Sequence, residues 1–81
     1  MPMRPLKQFV VFAFDSTRIA LAAESALMEA GLTVRPMPLP PQRGSLCGIA
    51  LRLPPEEEGA ALAALDTHGI RVAARDEIED Y

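Results

Sequence analysis

Lys7–Phe14, with the sequence KQFVVFAF, is the chain's densest run of aromatic and β-branched residues. Its apolar residues occupy consecutive positions, a pattern that is typical of a strand covered on both faces. Asp15 and Ser16 follow directly, and either side chain can accept an amide hydrogen at a helix N-terminus. The stretch therefore predicts a central strand that leads at once into a helix.

The sequence predicts two helices with apolar stripes. The first runs from about Thr17 to Ala30 and ends at Gly31 in a left-handed cap. The second begins near Pro55, whose following glutamates complement the helix dipole, and closes at His68-Gly69. The core-facing residues are expected to be Ile19, Ala23, Ala26, Leu27 and Ala30 in the first helix, and Leu62, Leu65 and the neighbouring alanines in the second.

Three more strands complete the predicted order β-α-β-β-α-β. Leu32–Arg35 alternates between apolar and polar residues, and Pro36, which cannot donate to a sheet ladder, places this strand at a sheet edge. Cys47–Leu53 and Ile70–Arg75 are the other two strands. This order is that of an α+β ferredoxin-like fold, a four-stranded antiparallel sheet with both helices on one face and strands one and three in the middle. We expect a single domain over residues 1–81, with residues 1–6 and 76–81 frayed.

Composition excludes several function classes. The net charge is −3, with eight basic residues scattered among eleven acidic ones, so a phosphate-binding surface for nucleic acid is not expected. The apolar run at Phe9–Phe14 is interrupted by Asp15 and is too short for a membrane span or a signal peptide. A single cysteine excludes an internal disulfide and favours a reducing, cytoplasmic location.

That cysteine, Cys47, is the first candidate for chemistry. It lies where a proline-rich loop turns into the third strand, after Gly44 and Ser45 and directly before Gly48. The predicted topology brings it to the edge where helix one begins, at Ser16 and Thr17. Amides at a helix N-terminus favour a thiolate and lower the pKa of a cysteine. The alternative is a buried structural cysteine, because Cys47 shares the face of Ile49, Leu51 and Leu53.

His68 is the second candidate and the chain's only histidine. It could assist the Cys47 thiol as a base, or it could simply complement the dipole at the end of helix two. One cysteine and one histidine fall short of a metal-ligand set, so no metal site is predicted. Glycine-rich phosphate loops are absent, and no cofactor is expected.

Five segments together resemble a known family. They are Phe12–Leu21, Ala23-Glu24, Ala30-Gly31, Pro36–Pro41 and Ser45–Arg52, within a likeness that runs from about Gln8 to Val72. They are similar to small bacterial domains of unknown function that are described as selenium/sulfur (Se/S) carrier-like. The resemblance implies a carrier that holds sulfur or selenium on Cys47 as a persulfide or perselenide, between donor and acceptor proteins, and not a stand-alone enzyme.

The chain departs from this family in the loop before the cysteine. The family usually has Pro-Arg shortly before Ser-Cys-Gly, whereas here Pro40–Gly44 intervenes and Leu46 precedes Cys47. Arg43 is the candidate for the equivalent basic residue, which would help to dock a partner.

A second function class stays open beside the carrier. Ferredoxin-like domains also serve as non-catalytic binding or regulatory modules, in which Cys47 would be structural. Two helices cover one face of the sheet only, and both central strands are apolar on both sides, so we expect a homodimer or a protein partner on the open face. The sequence leaves undecided which side of Phe9–Phe14 points outward.

Overall fold

A four-stranded antiparallel sheet in the order β2-β3-β1-β4 forms the frame of the protein. The computed structural model describes residues 7–38 and 48–80. Both central strands are the predicted ones, and the α+β ferredoxin-like architecture is confirmed. The elements within these residues are β1 (Lys7–Ala13), α1 (Thr17–Glu29), β2 (Arg35–Pro38), β3 (Ile49–Leu53), a 3₁₀ turn (Pro55–Glu57), α2 (Glu58–Thr67) and β4 (Ala74–Asp80).

The core lies between the helices and one face of the two central strands. Every second residue of the two central strands points into it. Phe12 of β1 and Phe14 just after it, and Leu51 and Leu53 of β3, are among its largest buried side chains. Alanines on the helices bring the helix backbones close to this aromatic layer. Alternation then places Phe9, Val11 and Ala13 on the opposite face, which answers the question that the sequence leaves undecided.

The helix stripes are confirmed in part. Four residues of α1 are buried: Ala20, Ala23, Ala26 and Leu27. Ala30 is exposed and lies just beyond the helix, as its C-cap. The prediction that Leu62 faces the core is wrong, because α2 buries Ala61 and Leu65 and leaves Leu62 44% exposed. Leu65 and the alanine at position 61 are buried as predicted, so Leu62 is the residue of the stripe that departs from the prediction.

Both helices end in the same way. Gly31 and Gly69 follow α1 and α2 with φ of +79° and +68°, the left-handed conformation that glycine adopts without strain. The next residue in each case returns its amide to the helix: Leu32 donates to the Leu27 carbonyl at 3.1 Å, and Ile70 donates to the Leu65 carbonyl at 2.9 Å. These closures are Schellman motifs, and they confirm the predicted ends of the helices.

The same closures explain why β2 and β4 begin later than predicted. The amide of Leu32 is used by α1, and the amide of Thr33 donates to Glu57 at 2.7 Å. Neither amide is therefore available to a sheet ladder, and β2 begins at Arg35. Leu32 and Val34, which the sequence places in the strand, still pack against the core from the connecting segment.

The last strand also extends further than predicted. The amide of Ile70 closes α2, and β4 runs from Ala74 to Asp80, pairing residue by residue with all of β1 from Ala13 back to Lys7. The expectation that residues 76–80 form a frayed tail is therefore wrong. The acidic residues of this stretch pair despite their charge, because each of the seven residues of β1 has a backbone partner in β4.

In the described part of the chain, no helix has the length and apolarity that crossing a bilayer requires.

Candidate functional site

The candidate residues that the structure describes lie at one edge of the sheet, where β1 ends and β3 begins. Ala13, the last residue of β1, pairs with Ala50 of β3. Ser16 lies three residues after Ala13, and Gly48 lies two residues before Ala50. The N-terminus of α1 and the start of β3 therefore meet at the same edge, and the antiparallel topology brings the end of α2, with His68, to that edge as well.

Ser16 forms the N-cap of α1. Its backbone is extended, with φ −147° and ψ 158°, and its Oγ accepts the Ile19 amide at 3.1 Å. Its carbonyl accepts the amide of Ala20 at 3.0 Å, which begins the helical ladder. The first turn holds no acidic side chain, so the positive end of the dipole is not offset there. Of the two capping residues that the sequence offers, the structure selects Ser16, and Thr17 begins the helix.

Gly48 introduces β3 in a left-handed backbone conformation. Its φ is +85°, and a Cβ built on it would meet no atom within 4 Å. The glycine is required by backbone conformation and not by crowding. The residue is exposed, and the space beside it is open. The backbone of Gly48 is therefore exposed where β3 begins.

His68 is exposed and contacts its own helix. Its Nδ1 lies 2.9 Å from the carbonyl oxygen of Ala64, one turn earlier. Since a carbonyl can only accept, Nδ1 carries the hydrogen, and in the neutral ring Nε2 is left as the acceptor. This contact matches the helix-end role that the sequence analysis gives as the alternative. Assistance to a thiol stays a prediction.

Four of the predicted site residues lie outside the described residues: Arg43, Gly44, Ser45 and Cys47. The predicted closeness of Cys47 to Ser16 and Thr17 lies outside them too. Within residues 7–38 and 48–80, no three His, Cys, Asp or Glu side chains lie together in a way that could hold a metal ion.

A hollow of about 430 Å³ beside the end of α2 is not predicted from the sequence. Apolar residues from the last turns of α2 and from the segment that follows it line the hollow. Asp66 adds a negative charge and Arg71 a positive one. The signal in the sequence is a charged residue on either side of His68-Gly69. The lining residues are Leu62, Leu65, Asp66, Gly69, Ile70, Arg71 and Val72.

A charged cluster on the helix-covered side ties β4 to α2. Arg75 forms a two-pronged contact with Glu58, with Nη2 2.9 Å from Oε1, and its Nη1 lies 2.9 Å from Glu77. The hydrogen bond from Arg75 holds the pKa of Glu58 below its ordinary value. The pKa of Arg75 is raised by its hydrogen bonds to Glu58 and then to Glu77. The cluster stabilises the packing of α2 and is not part of the edge described above.

Comparison with known protein families identifies a match over most of the chain. The family described as "Putative Se/S carrier protein-like" matches residues 9–74. A search of curated proteins and a search of solved structures each find no significant match. The matched range begins in β1, reaches the first residue of β4, and includes the sheet edge with Ser16 and Gly48 as well as Cys47. Since it covers most of the sequence, the chain belongs to the Se/S carrier protein-like family.

Proposed function

We propose that the protein is a selenium/sulfur carrier that holds a sulfane sulfur or selenium atom on Cys47 as a persulfide or perselenide. The family match over residues 9–74 is the observation that carries this proposal. The matched range contains the only cysteine, so any cargo bound through a thiol must be on Cys47.

The proposed loading step is a transfer between two thiols. The Cys47 thiolate attacks the terminal sulfur of a donor persulfide, a bond forms between Cys47 Sγ and that sulfur, and the bond to the donor's inner sulfur breaks. The donor leaves as a thiolate, so Cys47 is oxidised to the persulfide level while the donor is reduced. Unloading is the same exchange toward an acceptor thiolate, and a selenium atom would follow the same course.

Two features of the described residues support anionic cargo near this edge. The N-terminus of α1 presents its dipole there, with Ser16 using one amide and no acidic residue in the first turn. Gly48, directly after Cys47 in the sequence, stands in open space. Amides at the start of α1 and around Gly48 would stabilise a thiolate or a persulfide anion. Ser45 and Gly44 would keep the approach to the thiol uncrowded.

The partners in this proposal are a donor protein and an acceptor protein. Each must bring a cysteine to Cys47, so each docks at the same edge in turn, and Arg43 would help to dock them. The protein is then an accessory that works with cytoplasmic enzymes and does not complete a reaction alone. His68, with its Nε2 free to accept, would assist the thiol only if the loop before Gly48 brings the two together.

The test is intact-mass spectrometry after incubation with a cysteine desulfurase and cysteine, and separately with selenocysteine and a lyase that holds the released selenium as a perselenide on its own cysteine. We expect an adduct with the mass of one sulfur or selenium atom, which dithiothreitol removes. Cys47→Ser is the matched control and should gain no adduct. A wild-type protein that stays unmodified while a known acceptor in the same tube is loaded would contradict the proposal.

A second function is favoured by a different observation. No described helix packs on the face of the sheet that holds Phe9 and Val11, since both helices lie on the other side. We infer that this face binds protein, either as part of the carrier or as the whole function of a non-catalytic module with a structural Cys47. Cys47→Ser distinguishes these cases, because partner binding through the face should survive it.

A further inference from the structure

The hollow beside the end of α2 is a concave surface that the proposed carriage does not use. Its volume of about 430 Å³ lies near the lower end of the range of roughly 300–1,000 Å³ that is typical of small-molecule sites, so it favours a small ligand. The hollow lies at the same edge of the sheet as Gly48. The amide of Ala73, just after its lining, donates to the carbonyl of Ala13 at 2.8 Å, and Ala13 pairs with Ala50 at the start of β3.

The walls of the hollow are aliphatic and belong to the core or pack against it. Leu65 is 1% exposed, and Ile70 and Val72 are partly buried against the core cluster. Leu62 adds a further aliphatic side chain, which is 44% exposed. These residues offer a branched apolar lining to the hydrocarbon part of a ligand, and removing that part from water favours binding.

Backbone hydrogen bonds hold this lining in place before a ligand arrives. The amide of Gly69 donates to the carbonyl of Asp66 at 3.0 Å, and the amide of Ile70 donates to the carbonyl of Leu65 at 2.9 Å, so the turn after α2 is closed against the helix. The amide of Ala73 attaches the other end of the segment to β1. A site that is already formed loses less conformational entropy when a ligand binds.

Two opposite charges line the hollow, and neither is used within the protein. Asp66 belongs to the last turn of α2, and Arg71 belongs to the segment that follows the helix. Within residues 7–38 and 48–80, neither side chain forms an ion pair or a hydrogen bond, whereas Arg75 is paired with two glutamates. Both charged side chains are exposed, so a ligand can reach them.

This combination of charges selects among small ligands. An anion such as phosphate would be attracted by Arg71 and repelled by Asp66, and a polyamine would experience the reverse. A wholly apolar ligand would cover both charges without pairing them, which opposes binding. A zwitterion with an aliphatic side chain matches both charges and the walls.

We propose that the hollow binds a free α-amino acid with a branched aliphatic side chain. Arg71 pairs with the α-carboxylate, which the planar guanidinium can hold through two parallel hydrogen bonds, and Asp66 pairs with the α-ammonium group. The aliphatic side chain packs against Leu65, Ile70 and Val72. A residue inside a peptide lacks both charges and would lose both pairs. This binding does not depend on the carriage of sulfur or selenium.

The first test compares ligands on the wild-type full chain by NMR titration of backbone amides. L-Leucine should shift the amides of Gly69, Ile70, Arg71 and Val72 with a Kd on the order of 1 mM, because a small ligand in an open hollow makes few contacts. Leucinamide lacks the carboxylate and 4-methylpentanoate lacks the ammonium group, and each should bind at least about tenfold more weakly. Glycine, which has no aliphatic side chain, should also bind more weakly than leucine.

Two variants then assign each charge to its partner. Arg71→Gln should remove the preference for leucine over leucinamide, and Asp66→Asn should remove the preference for leucine over 4-methylpentanoate. Arg18→Gln and Glu29→Gln, which are exposed on α1 and outside the lining, are the matched controls and should keep both preferences. Melting curves check that each variant is folded, and the comparison of ligands on the wild type stands without them.

Three results would overturn the inference. The first is the absence of saturable shifts well above the expected Kd, and the second is a set of shifts confined to residues outside the lining. The third is equal binding of leucine and N-acetyl-leucinamide, which would indicate recognition of a peptide segment instead. Sulfur loading of Cys47 is measured separately, so failure of amino-acid binding and failure of carriage are distinguished.

Discussion

Ala13 and Ala50 are cross-strand partners at the ends of the two central strands. Their pairing fixes where the chain leaves β1 for the cap at Ser16 and where it enters β3 from Gly48. The positions of Ser16 and Gly48 at this edge are therefore set by the sheet register and the cap together.

Ser16→Ala should destabilise the protein by about 1 kcal/mol, because the Ile19 amide loses its acceptor. In a domain of this size that corresponds to a fall in melting temperature of about 4–8 °C. Ser16→Asp keeps an acceptor and should stay close to wild type. Ser25→Ala, on the exposed side of the same helix, is the control and should melt no lower than wild type. Equal melting of Ser16→Ala and Ser25→Ala would show that the cap contributes nothing.

Gly48→Ala should destabilise the fold by about 1–2 kcal/mol through the backbone alone. The added Cβ meets no atom within 4 Å, so the cost comes from φ at +85°. Gly59→Ala provides the opposite case, since Gly59 is helical, has open space around it and has no positive φ. That change should raise stability by up to about 1 kcal/mol. Thermal melts of both variants decide the matter, and destabilisation in both would point to steric crowding instead.

Glu58 should make the stability of the protein depend on pH. Its pKa is lowered from the ordinary value of 4.5 by the hydrogen bond from Arg75, so the folded state favours the ionised carboxylate. This contribution is present above pH 4.5 and is lost as the pH falls through the folded-state pKa. Glu58→Gln should therefore melt below wild type at neutral pH and approach it in acid. Glu56→Gln, on the exposed turn before α2, is the matched control for the loss of one carboxylate.

Cys47→Ser should leave the melting temperature nearly unchanged and remove persulfide loading. A hydroxyl that meets water or helix amides costs little, whereas one buried without a partner costs about 1–3 kcal/mol. The native thiol should also react with an alkylating reagent with a midpoint below about pH 8.5. Labelling that requires unfolding, together with a large loss of stability in Cys47→Ser, would identify a core cysteine and exclude the carrier function.

The sequence predicts the frame of this fold well because its strongest signals are local. Consecutive apolar residues in Lys7–Phe14 identify the central strand, and Gly31 and Gly69 identify the helix ends. The starts of β2 and β4 depend instead on which groups accept the hydrogen bonds of single backbone amides. The amides of Leu32 and Ile70 are taken by the preceding helices, which no alternation of side chains in the strand can reveal.

The candidate site, like the fold, could be predicted from the sequence only where the signal is local. The cap at Ser16 and the backbone conformation at Gly48 follow from residue type at a predicted junction, and the structure places both at one edge. The hollow beside α2 depends on which residues of the helix are turned inward, and there the predicted burial of Leu62 is wrong. Which side chains lie opposite one another across the sheet depends on the exact pairing of four strands, which the sequence pattern does not specify.

The two prolines of β2 have a consequence for how the protein avoids aggregation. Neighbouring residues of a strand direct their N–H groups to opposite sides, and proline has none. Arg35 and Met37 can therefore donate to β3, while Pro36 and Pro38 offer no donor along the outer edge. The other edge, β4, carries a run of acidic residues that repels a similar strand. Both described edges therefore disfavour the addition of another strand, which opposes growth of the sheet by edge-to-edge pairing.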